Sequence, residues 1–543
     1  MDIEAESAPN GRTQSDSNGE ELVFPTQNIP QGLPKKVQSL CPECTKVIDA
    51  TMYEEDGKVF MKKTCPEHGE FKDFISGNVK FWLKMERTGF EDAPGIQNAN
   101  TKYTGNCPND CGICDHHLSN ACVANIDLTN RCNLKCPVCF ANANAAGYVC
   151  ELTFEQVRNI VKTLLATKPI PCQVVQFAGG EPTIHPQFVE IIKMCKKEGI
   201  RYMQAATNGV KLASDNGEFA KACVDAGLRQ IYLQFDGIGE EVYQKTRGNG
   251  KLWKIKQKCI ENCRKAGLMV VFVPTIVKGV NDHQVWDILQ YAIDNIDIMN
   301  GVSYQPVSFC GRIPQKEVME MRYTMTDVVD AIERGSHGKL QTMRDWYPLS
   351  FASPMSKLLS ATTGKPVLTI TNHAQCGAGT YLLVNKETKE SIPLSAIFDF
   401  EHVMLEMNEL AKKAKATKLS NMITKVKGFN ILRKYWIAEN APKDLSFMKF
   451  MRTLEGMMGG AKEEDQKWVM LVVLGMHFQD KYSFRLDRVR RCVIHYGAPD
   501  GKLYPFCAYN SGPTFREKIE KQFSIPLEEW KRQHGEIKIF NPE

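Results

Sequence analysis

The sequence has no long hydrophobic run. Its most apolar short stretch, Trp468 to Met476 (WVMLVVLGM), falls well below the roughly 18 residues that span a bilayer, so the chain does not cross a membrane by itself. Residues 1–34 lack a basic start followed by an apolar stretch, and without that secretory pattern a reducing, cytoplasmic setting is expected. Charge of one sign is scarce too. A net charge of +5 over 543 residues argues against nucleic acid as a partner, since binders concentrate basic residues in a patch and raise the domain pI above about 9. There is no internal repeat. Cysteine is what the chain has in abundance: 20 residues, in a protein far too large for a small disulfide scaffold. Clustered thiols in such a chain point to metal.

The organisation follows from where those thiols fall. Residues 1–38, rich in Ser, Asn, Gly, Glu and Pro, read as a disordered leader. Residues 39–78 form a metal-sized module with CPEC at Cys41 and Cys44 and CPEHG at Cys65 and His68. These are the paired spacings of a zinc ribbon or a rubredoxin-like single iron; both want tetrahedral soft ligands, so the metal is mononuclear Fe or Zn. A connector, 79–123, carries Cys107, Cys111, Cys114 and Cys122, enough thiolates to close an auxiliary four-iron cluster, with structural zinc as the alternative.

From 124 to 309 strand and helix alternate. Candidate strands are Asn125 to Thr129, Val174 to Ala178, Tyr202 to Thr207, Gln230 to Phe235, Met269 to Ile276 and Val302 to Gln305. Helical periodicity fills Thr153 to Ala166, Gln187 to Glu198 and Lys251 to Ala266. This alternation demands parallel strands with right-handed crossovers, and six units predict an α/β fold with an open or partial (β/α)6 barrel. Residues 310–543 read as a less regular α+β region for substrate and a further auxiliary cluster. There Cys310, Cys376, Cys492 and Cys507 lie beside aromatic and glycine residues; ordinary core cysteines are the alternative. Cys150, Cys172, Cys195, Cys223, Cys259 and Cys263 are assigned to packing.

After the first candidate strand comes NRCNLKCPVCFANAN, spacing Cys132, Cys136 and Cys139 as C-x3-C-x2-C. Catalytic groups in such folds gather at the C-terminal ends of strands. Three thiolates hold three irons of a four-iron cluster and leave the fourth open; a zinc knuckle would need a fourth ligand. With Phe140 after the third cysteine, the pattern resembles the radical S-adenosylmethionine (SAM) superfamily. The resemblance implies SAM and a [4Fe–4S] cluster as cofactors, one or two auxiliary clusters, and a low-potential electron donor. It also places cofactor contacts at the ends of later strands. Gly179, Gly180 and Glu181 of GGEP would let the backbone approach the methionine amino group. Thr207, Asn208, Gln234 and Asp236 would face ribose and carboxylate, Arg247 would pair a carboxylate, and Val277 and Asn281 would lie near adenine. Taken singly, each polar residue reads equally well as a turn or cap; their common location is the argument.

The run of CPECTKVIDA, CPEHGEF, CPNDCGICDHHLSNAC, NIDLTNRCNLKCPVCFANAN and RRCVIHYGAPDGKLYPFCAYN is similar to an archaeal group of tetraether lipid synthases, over nearly the whole chain after the leader. That resemblance implies a diether lipid substrate and carbon–carbon coupling of isoprenoid termini by hydrogen abstraction. Methylation of a tetrahydropterin cofactor is the alternative, needing the same first cluster but a polar pocket. An electron-transfer protein built on several clusters is the rival outside enzymes, and it predicts no 5′-deoxyadenosine. From Leu410 to Ala438 there is no Asp or Glu, and Lys or Arg recur among apolar residues. The segment suits peripheral contact with an anionic membrane or, alternatively, a solvated basic helix face. A monomer is expected.

Overall fold

The computed structural model describes residues 30–90, 95–311, 318–457, 466–512 and 515–540. An antiparallel ribbon comes first, its strands Lys35–Leu40, Val47–Glu55, Lys58–Cys65 and Gly69–Ser76 pairing in chain order. Alternation along the third strand turns Val59, Met61, Lys63 and Cys65 inward, as a sheet with one covered face requires. The ribbon begins at Lys35, so a leader extending to residue 38 is too long; residues 1–29 lie outside the described residues.

The central parallel strands are Val123–Thr129, Val174–Gly179, Tyr202–Thr207, Gln230–Gln234, Met269–Val273 and Met299–Pro306, neighbours in that order. The strand expected to run unbroken to Ile276 stops at Val273 and resumes as Thr275–Ile276. Pro274 lies at the break and has no N–H for a ladder. Crossover helices include Phe154–Ala166, started by a Thr153/Gln156 capping box, and Phe188–Glu198, closed by Gly199 in the left-handed region.

One sheet face packs on the helices through Ile126, Phe177, Ala205, Leu233 and Phe272. Along the other runs a chain of side-chain amides. Gln176 donates to Asn125 at 3.0 Å, Gln204 to Gln176 and Gln230 to Gln204 at 2.8 Å, and Asn300 to Gln230 at 2.6 Å. A one-residue slip would send these amides into the apolar layer, so they fix the register.

The C-terminal region does not form a separate unit. Trp468–Met476 pairs parallel to Met299–Pro306 and antiparallel to Gly377–Asn385, extending one edge of the sheet. Ile494–Gly497 pairs parallel to Val123–Thr129 and extends the other. Six strands that do not close leave two rows of unpaired backbone groups, and these late strands cover both. Among the described residues no helix is long and apolar enough to cross a membrane.

Candidate functional site

The loop carrying Cys132, Cys136 and Cys139 leaves the strand Val123–Thr129 at its C-terminal end and is shaped by its neighbours. Asn144 accepts from the Cys132 N–H at 3.0 Å and donates to the Cys132 carbonyl at 2.8 Å. Asn208 donates to Asn133 at 2.7 Å, and its amide nitrogen lies 3.8 Å from the Cys132 sulfur. Burial pushes the Cys132 and Cys136 thiols up, so a bound cation is what brings these two to thiolates.

The GGEP glycines serve this loop. Gly179 has φ of +129°, and a Cβ there would meet the Thr129 carbonyl oxygen at 2.2 Å. A Cβ on Gly180 would meet the Arg131 oxygen at 2.2 Å. The pair therefore lets the second strand's exit press on the backbone entering Cys132. Glu181 is buried and fully engaged: it accepts from the Thr183 N–H at 3.2 Å, the Thr183 hydroxyl at 2.6 Å, the Thr207 hydroxyl at 2.7 Å and the Asn208 N–H at 2.7 Å. It ties the second and third strand ends together.

Arg247 and Asp236 form a forked, buried pair. The remaining guanidinium nitrogen, Nη1, donates to the Val138 carbonyl at 2.9 Å, inside the cysteine loop. Asp236 accepts from the Thr275 N–H at 3.1 Å, and Asn281 donates to the Asp236 and Thr275 carbonyls at 2.8 Å each. Asn281 also accepts from the Val277 N–H at 2.8 Å. The fourth and fifth strand ends are thus locked to each other and to the loop. Lys256, which the sequence reading passed over, sits beneath them. It is buried, donates to the Asn208 carbonyl at 2.7 Å and to Gln234 at 2.9 Å, and burial pulls it down to about 8. The helical period of Leu252–Ala266 placed it inward; that a lysine would follow the period was the missed signal.

The other cysteines sort into groups. The Cys41, Cys44 and Cys65 sulfurs and the His68 nitrogen lie within 4.8 Å of one another, the spacing of a single tetrahedral ion. The hydrogen bond to His68 brings Cys65 down to about 6, favouring the ligating thiolate. Cys107, Cys111 and Cys114 interact with one another, and Cys107 is held at about 7 by its hydrogen bond with Cys111 and by the Arg490 charge. Cys122 turns aside and donates to the Thr369 carbonyl at 3.2 Å. Cys376, Cys492 and Cys507 interact with one another, and Arg488 stands against Cys376 and Cys507. Cys310 lies near Cys507, and a Cβ on the adjoining Gly311 would come within 2.5 Å of the Cys139 carbonyl oxygen. Cys150, Cys172, Cys195, Cys223, Cys259 and Cys263 are buried in the core.

Beside the cysteine loop opens a cleft of about 350 Å³ lined by Asn130, Phe140, Tyr148, Tyr509, Asn510, Arg516 and Glu520, among others. Phe140 stacks on Phe506, ring centres 5.5 Å apart, which places it one residue from Cys507. Arg516 bridges Asp127 at 2.5 Å and Glu520 at 3.1 Å, donates to Asn510 at 3.0 Å, and lies over the Tyr496 and Tyr509 rings. Tyr148 donates to Glu520 at 3.2 Å, and burial raises the Glu520 carboxyl. The cleft is lined by polar and aromatic side chains.

Comparison with known proteins agrees with this geometry. The radical SAM superfamily model matches residues 126–292, and the "HMPTM N-terminal zinc ribbon domain" model matches residues 33–77. The 7,8-dihydro-6-hydroxymethylpterin dimethyltransferase of Methanocaldococcus jannaschii is 42% identical over 505 residues, covering 92% of this chain and 97% of that one. A GTP 3′,8-cyclase of Alkaliphilus oremlandii is 30% identical over 182 residues, 32% of this chain and 53% of its own. Among solved structures, Streptococcus suis SuiB bound to S-adenosylmethionine aligns with a TM-score of 0.32 at 16% identity, over 40% of this chain and 48% of that one. The near full-length match overturns the expectation of a tetraether lipid synthase acting on diether lipid: the relative that matches 92% of this chain over 97% of its own is a pterin dimethyltransferase. Cysteine spacing reports the cofactors and not the substrate, which is why the two readings could not be parted by motif. The chain belongs to the radical SAM superfamily, with SAM and a [4Fe–4S] cluster as cofactors and a zinc ribbon ahead of them, and within it to the family of the M. jannaschii dihydropterin dimethyltransferase.

Proposed function

We propose that the chain is a radical SAM methyltransferase acting on a reduced pterin, 7,8-dihydro-6-hydroxymethylpterin or a near relative. The observation that carries this reading is the polar, aromatic cleft against the cysteine loop, joined to the family membership. A dihydropterin is a flat heterocycle edged with N–H donors and ring acceptors. Phe140 and Tyr148 give the cleft aromatic walls for such a ring, and the Glu520 and Asn510 side chains grouped by Arg516 supply acceptors for its N–H edge.

When bound at Cys132, Cys136 and Cys139, the cluster supplies one-electron cleavage of SAM to a radical able to abstract unactivated hydrogen. The protein's part is positioning. Gly179 and Gly180 bring two strand ends into backbone contact with the loop, Arg247 holds the Val138 carbonyl, and Glu181 fixes Asn208 beside Cys132. Phe140 forms the wall shared by loop and cleft. We read the six parallel strands as the partial barrel of the superfamily, and the Cys107 and Cys376 groups as holding auxiliary clusters that receive electrons from a low-potential donor.

Anaerobic incubation with 7,8-dihydro-6-hydroxymethylpterin, reductant and excess SAM, one molecule cleaved to the radical and a second giving the methyl group, with a parallel arm that adds a methylene-tetrahydropterin as one-carbon donor, followed by mass spectrometry, tests the reading. A pterin heavier by one or two methyl groups is expected. Unchanged pterin while 5′-deoxyadenosine accumulates would refute it. Arg516→Met is expected to raise KM for the pterin at least tenfold while SAM cleavage without pterin stays within twofold of the parent.

A further inference from the structure

The helix Lys418–Lys434 is apolar on two opposite sides. Its inner side, with Thr424, Gly428 and Ile431 buried, rests on the helix Phe400–Lys413, where Gly428 approaches Met407 and Leu410. Its outer side carries Leu419, Met422, Ile423 and Val426, exposed by 66%, 61%, 44% and 56%. Spacings of three, four and seven residues align these four side chains in one stripe. At 3.6 residues per turn, Lys418 and Lys425 fall on one flank and Lys427 on the other, next to Lys434, which is held by Glu406 of the neighbouring helix at 2.7 Å. The patch widens onto the helix Ser353–Thr363, where Met355 and Leu359 are exposed and whose terminal Gly364 packs on Ala416.

A contiguous exposed apolar stripe on a well-packed helix marks a contact surface. The chemistry of the partner is set by charge: from Leu410 to Ala438 there is no acidic residue, and Glu406 and Glu409 of the helix beneath are each paired with a lysine, Lys434 and Lys412. A second copy of the chain, brought stripe to stripe, would set lysine against lysine. An anionic surface satisfies both the stripe and its flanks.

We propose that this face docks on an anionic lipid bilayer, the four apolar side chains entering the headgroup boundary and the flanking lysines reaching lipid phosphates. The surface lies on the C-terminal helices, and none of its residues lines the cleft or holds a cysteine group, so docking positions the enzyme without entering its chemistry.

Flotation of the full-length, cluster-loaded protein with vesicles tests it, using equimolar phosphatidylglycerol and phosphatidylcholine against phosphatidylcholine alone. Binding to the anionic vesicles is expected, falling at least tenfold in Leu419→Ser/Ile423→Ser/Val426→Ser and in Lys425→Glu/Lys427→Glu. Both variants should form 5′-deoxyadenosine at the parental rate, which shows that they are folded and loaded. No flotation with anionic vesicles, or equal flotation with both compositions, would overturn the proposal. So would a parental dimer in solution that the serine variant disperses, since the stripe would then serve a second copy.

Discussion

Lys84 donates to the Met343 carbonyl at 2.8 Å and the Trp346 carbonyl at 2.9 Å, and its ammonium lies 3.9 Å from the centre of the Tyr347 ring. With only 6% exposure, burial lowers it to about 8. Its folded pKa is therefore below its unfolded value near 10.4. Below pH 8 both states carry the proton; between about 8 and 10.4 only the unfolded state does, so stability from this group rises with pH across that window. Relative to Lys84→Met, the parent is expected to gain of order 3 kcal/mol from pH 8 to 10.4. Urea denaturation of both proteins across the window reads the difference, and parallel curves would refute it. Gly180 gives a second prediction at this scale. A Cβ 2.2 Å from the Arg131 carbonyl oxygen must displace the backbone entering Cys132. Gly180→Ala is expected to lower iron content after reconstitution and to cut 5′-deoxyadenosine formation at least a hundredfold, with the ribbon metal retained.

Among the elements, the ribbon is the one whose stability depends on a metal. Its inward residues are few, Ala50, Met52, Val59 and Met61 with Val79 and Trp82 from the following helix, too small a core to stand without the four ligands. Its attachment to the body includes Lys63, which pairs with Asp73 at 3.3 Å and donates to the Tyr482 carbonyl. Chelation, or Cys41→Ser, is expected to raise amide exchange over residues 35–76 by orders of magnitude while Val123–Thr129 and Tyr202–Thr207 stay protected. Elements of the central sheet were legible in the sequence because local signals fixed them: Phe154–Ala166 opens with a capping box and keeps a helical period. The contacts that build the site were not legible. Arg247 reaches Val138 across 109 residues, and Arg516 reaches Asp127 across 389; no periodicity reports a partner so distant. The glycines of GGEP were read from the sequence as making room for a ligand, and the fold adds a second use for them. They admit a neighbouring strand's backbone, which only the fold could show.

At the scale of the whole molecule, the sheet joins segments that a linear reading parted at residue 310. Trp468–Met476 lies between Met299–Pro306 and Gly377–Asn385, so the C-terminal region is held by ladders on both sides. Cleavage at a protease site inserted between 458 and 465 is expected to leave the two fragments together through gel filtration under native conditions, separating only in denaturant. Fragments that part on dilution would show the pairing to be weak. The substrate was misjudged at this same scale. Thiol spacings are dictated by metals shared across related enzymes, whereas the cleft is assembled from Asn130, Tyr148 and Arg516, which no single motif contains.

The strand that delivers the chain to Cys132 has its outer edge covered by Ile494–Gly497. During synthesis at 5–20 residues per second that edge stays bare for roughly 20 to 70 s after it leaves the ribosome. For that interval the nascent cysteine loop stands beside an uncovered flank, open to iron–sulfur delivery and to misplaced neighbours alike. The emergence of Ile494–Gly497 is thus the event that covers this edge.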